Sequence, residues 1–170
     1  MRGFSKISPE LWDSERFKTL PSDDGRYLYL YLLTCRHQTS AGAYRLPDGY
    51  AATDLRWMPE RYVKARELLV QADLIRFDDQ TSVVMITRWF KHNPPMNADH
   101  LKSIENELER LPSPTLAQEA HNDLVMIQES LDVERVGKAA RRQKPANGSP
   151  NGLGGVITER LNTNYLAGRR

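Results

Sequence analysis

Apolar positions along the chain recur at two spacings, and the changes of spacing mark out its elements. In PERYVKARELLVQAD (59–73), Tyr62, Ala65, Leu69 and Ala72 follow steps of 3, 4 and 3, a stripe along one helix face. Pro59 suits the first position of that helix. The same steps set Leu101, Ile104, Leu108 and Leu111 on one face of ADHLKSIENELERL (98–111), with Asn97 as its cap. A further helix is predicted over 115–131, opening at Thr115 and closing at Leu131. Its Leu116, Ala120, Leu124, Ile127 and Leu131 recur at steps of 4, 4, 3 and 4. An earlier helix, 22–34, differs. Ser22 caps it, and Asp23 and Asp24 suit the positive end of its dipole. Its Tyr27, Leu28, Leu30, Tyr31 and Leu32 cover more than one face, which predicts a central, largely buried helix.

Between these segments the spacing shortens. GAYRLP (42–47) reads as a short strand ended by Pro47, after which Asp48 caps a helix over 49–57. LIRF (74–77) and VVMITRWF (83–90) flank the polar turn DDQTS, the pattern of a hairpin. In its second strand Trp89 and Phe90 alternate in direction, so at most one belongs to the core. Pro94 and Pro95 end that strand. Residues 4–8 read as a short strand, and Ser8 with Pro9 as a helix start. The order helix, short strand, helix, helix, hairpin is that of a winged helix-turn-helix, in which a small sheet covers the open side of a three-helix cluster. The fold class expected is mainly α with a small β-sheet (α+β): a winged helix-turn-helix over 1–97, a helical extension over 98–134 and a basic, disordered tail over 135–170.

Composition narrows the chemistry. The single cysteine, Cys35, allows neither a disulfide nor a zinc cluster within one chain, and it reads as a small buried hydrophobe rather than a nucleophile. His37, His92, His100 and His121 lack metal-ligand spacing, and no phosphate-binding GxxxxGK[ST] motif is present. No enzyme, no metal and no cofactor are therefore expected. No apolar run reaches the length of a membrane span and no signal-peptide core is seen, so a cytoplasmic location is expected. Net charge is only +2, but residues 135–170 hold eight basic residues and one acidic. Such a tail suits attraction to nucleic acid, or is simply a solvated linker.

The runs LYLYLLTCRHQTSAGAYRLPDGYAATDL, ARELLVQADLIRFD and ITRWFKHNPPMN resemble the winged-helix domain of phage and prophage replication-module proteins, among them replisome organisers and DnaD-like N-terminal domains. The resemblance covers about residues 4–111. It implies double-stranded DNA binding, often at a replication origin, with self-association or contact to a helicase or helicase loader. A prophage transcription regulator, or an adaptor that binds protein and not DNA, would use the same parts. The helix from Pro59 would be the recognition helix, with Arg61 on guanine or phosphate, Lys64 on phosphate and Val63 beside them. The alternative is a solvated face beside Glu60 and Glu67. Arg45 could clamp phosphate or merely sit at a sheet edge, and Arg56 could do the same or favour the negative end of its helix. Lys91, with Arg88 and His92, forms a small basic rim. The tip of the hairpin carries Asp78 and Asp79 and suits DNA poorly. Trp12, Trp57 and Trp89 read as core or core-edge anchors. A homodimer through helix 115–131 is the remaining partner expected.

Overall fold

A computed structural model describes residues 5–142, with side chains as far as Val133. A 3₁₀ turn at Pro9–Asp13 leads into the short α1 (Glu15–Lys18) and then α2 (Asp23–Thr34). After these come β1 (Ala43–Arg45), α3 (Asp48–Leu55), α4 (Pro59–Gln71), β2 (Ile75–Asp78) and β3 (Val83–Ile86). The chain continues through a helical turn, α5 (Trp89–His92), then α6 (Ala98–Glu109) and α7 (Pro114–Arg142). The architecture is mainly helical with one antiparallel sheet in the order β1-β3-β2. Capping signals act where the sequence puts them. The Ser8 hydroxyl accepts from the Glu10 N–H, the Ser22 hydroxyl from that of Asp24, and the Asn97 side-chain Oδ1 from the His100 N–H at 2.8 Å. Pro59 opens α4 as its first residue, whereas Asp48 lies inside the first turn of α3 behind Pro47.

The middle strand explains the shape. Val83, Val84, Met85 and Ile86 are all buried, and alternate residues of a strand face opposite ways. Both faces of β3 must then be covered, as its unbroken apolar run VVMI permits. α7 supplies one cover by packing on β1 and β3, with Leu116, Ala120 and Leu124 buried there. A single apolar core runs from Phe17 to Leu124. The stripe of helix 115–131 is thus largely spent within its own chain.

Several expectations are corrected. Residues 5–8 form no strand. β3 ends at Ile86 rather than at 90, because Arg88 turns into the left-handed region (φ 56°) and the chain coils into α5. Trp89 and Phe90 are consequently both buried, at 5% and 1% exposure, instead of lying on opposite faces. The Trp89 indole N–H donates to the Ser40 carbonyl at 2.8 Å, and its ring lies against Gly42. Gly42 has φ +68°, and a Cβ there would fall 2.2 Å from Trp89 Cγ, so glycine is needed twice over. Trp12 is 61% exposed, resting edge-on against Phe17, and is no core anchor. α7 runs on to Arg142, past the expected boundary at 135; the rest of the basic tail, 143–170, lies outside the described residues.

Candidate nucleic-acid interface

α3 and α4 are joined by the turn Arg56–Trp57–Met58. Arg56 takes a left-handed conformation (φ 55°, ψ 41°) and ends α3, its N–H bonding back to Thr53 and that of Trp57 to Ala52. This tight reversal sets α4 across α2 and α3. Neither α3 nor α4 has a side-chain cap on its first N–H groups. The buried face of α4 is Tyr62, Ala65, Arg66 and Leu69, which leaves Glu60, Arg61, Lys64, Glu67, Val70 and Gln71 on the solvent side. That outward face carries two acids and two bases, one of the bases, Arg61, being paired with Asp24.

The predicted site residues separate into three groups. Arg45, Arg56 and Lys64 are exposed and enter no ion pair among the described residues, and Pro59 is exposed at the start of α4. Arg45 ends β1 opposite Val83, before α3, so α3 has a free arginine flanking each end. Val63 is half-buried against the core and does not project like Lys64. Lys91 is exposed on α5, which packs against α7.

Arg61 is held. Its Nε and Nη2 donate to the two Asp24 carboxylate oxygens at 2.8 and 2.6 Å, and its guanidinium lies 4.4 Å from the centre of the Trp57 ring. Tyr27 approaches the same indole at 5.9 Å. The hydrogen bonds from Arg61 hold the Asp24 carboxyl below its ordinary range. Arg61 therefore ties the first turn of α4 to the first turn of α2, and a phosphate must compete with Asp24 for it.

Arg66 was not singled out from the sequence, yet it organises the site. Its side chain is 10% exposed and donates to Asp48 at 2.6 Å and to Asp79 at 3.0 Å, with its guanidinium 3.7 Å from the centre of the Phe77 ring. It thus joins the start of α3, the middle of α4 and the hairpin tip. The signal was present: Arg66 stands four residues after Tyr62 and three before Leu69, on the apolar stripe itself. The tip is further fixed by Asp78, whose carboxylate accepts from Thr81 and whose pKa is lowered, first by a hydrogen bond from Ser113 and then by that from Thr81. Both acids of the tip therefore have partners, and the hairpin is fastened to α4 and to the α6–α7 turn.

No family model matches the chain, and neither does any curated protein or solved structure. No helix of the described residues is long and apolar enough to cross a membrane. Charge is divided along the described chain. Residues 5–97 hold 13 basic and 12 acidic residues, whereas 98–133 hold two basic and eight acidic.

Proposed function

We propose that the chain is a winged-helix protein that binds double-stranded DNA in a phage or prophage replication module, marking an origin and recruiting a helicase or helicase loader, with no chemistry of its own. The observation that carries this reading is the pair α3–α4. It is held by a three-residue turn against a three-stranded sheet, with Arg45, Arg56 and Lys64 exposed around it and in no ion pair among the described residues. Helix pairs of this kind set the second helix in the major groove while flanking cations hold phosphates. The basic residues after 134 would add a sequence-independent attraction. A transcription regulator of a prophage would bind DNA with the same surface.

One observation favours a second reading, an adaptor that binds protein. Arg61 and Arg66 are both occupied by acids, which leaves Lys64, between Glu60 and Glu67, as the one cation of α4 outside an ion pair among the described residues. Anisotropy titrations of duplex DNA at two salt concentrations separate the two readings. As a DNA binder, the protein loses affinity steeply with salt, and Arg56→Ala and Lys64→Ala each weaken binding and flatten the salt slope by about 1. Binding that is absent, or indifferent to salt and to both substitutions, selects the adaptor.

A further inference from the structure

α6 and α7 form a helical hairpin, and near its closed end an open groove of about 660 Å³ runs between them. Its floor is apolar, with Leu108, Leu111 and Ala117, and Glu105 and Glu109 stand along its α6 side. The groove belongs to the acidic part of the molecule, where eight acids face two bases over residues 98–133. An apolar floor under paired carboxylates fits an amphipathic segment with arginines at its margin.

The chain contains such a segment. In VITERLNTNYLAGRR (156–170), Ile157, Leu161 and Tyr165 recur at steps of four, and Arg160, Arg169 and Arg170 accompany them. Reach also fits. From Arg142 back to Ala117 is about 38 Å along α7, at roughly 1.5 Å per residue. Residues 143–155 span at most about 43–47 Å when extended. The Gly-, Pro- and Asn-rich composition of 143–155 suits a tether, and tethering raises the local concentration of the segment at the groove.

We propose that this groove holds the chain's own residues 156–170. The Ile157, Leu161 and Tyr165 side chains lie on Leu108, Leu111 and Ala117, and the three arginines pair with Glu105 and Glu109. The docked arginines are then withheld from any other anion, so the contact is an internal competitor for whatever the basic tail would bind. The inference does not depend on the DNA reading, because its test contains no DNA.

Hydrogen exchange of the full-length protein, followed by mass spectrometry, tests it. At low salt the amides of 157–166 are expected to exchange at least about tenfold more slowly than a coil, independently of protein concentration. The pair Glu105→Lys with Glu109→Lys abolishes this protection. So does the triple variant Arg160→Glu, Arg169→Glu, Arg170→Glu, which leaves the folded body untouched. Coil-rate exchange in the unaltered protein overturns the proposal. So does protection that survives the triple variant, or protection that rises with concentration, which would seat the segment on a second copy.

Discussion

Gly42 and Trp89 show how much one contact can decide. The loop before β1 and the turn after β3 meet there, with no room for a methyl group and a backbone that disfavours any side chain. Gly42→Ala should cost about 2–4 kcal/mol, the sum of a left-handed penalty and overpacking against a rigid ring, read as a lower urea midpoint at unchanged slope. Two carboxyls predict the acid limb. Asp24 and Asp78 both titrate below their ordinary 3.8 in the folded chain. The unfolded chain therefore binds protons first on acidification. The stability these two groups add is complete above 3.8 and is lost as pH falls through their lowered values. Urea midpoints between pH 2 and 5 should fall less steeply for Asp24→Asn and Asp78→Asn than for the unaltered protein. Local signals of this residue scale were legible: Ser8, Ser22, Asn97 and Pro59 all act where their side-chain chemistry says. The roles of Gly42, Asp24 and Arg66 depend on partners 13 to 47 positions away, which no local pattern carries.

At the scale of elements, periodicity placed the helices and the hairpin well, and failed where tertiary contact overrode it. β3 was expected to run to 90 because TRWF has strand composition; Trp89 instead bonds to Ser40 and draws the chain into α5. The VVMI run carried a clue to the role of α7, since four buried residues in a row require cover on both faces. With the cover drawn from 114–127, the extension and the hairpin share one core. Leu124, fully buried, anchors that cover. Leu124→Ala should cost about 2–5 kcal/mol. Tryptophan fluorescence and far-UV circular dichroism should still report one coincident unfolding transition; two separate transitions would show that residues 1–97 fold without α6 and α7.

At the scale of the whole molecule, charge is sorted by sequence position. A nearly neutral body carries the candidate DNA surface, an acidic helical hairpin covers its sheet, and most of the basic excess follows. The sorting was visible in the sequence, where residues 112–134 hold five acids and no base ahead of the +7 tail and so permit the tail to fold back; the groove between α6 and α7 adds a place for such a contact. The cover on β3 also has a consequence in time. Synthesis proceeds from the N-terminus, so the hairpin is complete about 40 residues before Leu124 is added. At roughly 5–20 residues per second, the outer face of β3 stays bare for about 2–8 s in each newborn chain. During that interval the apolar strand is open to neighbours on the same polysome, until the helix that closes it has been made.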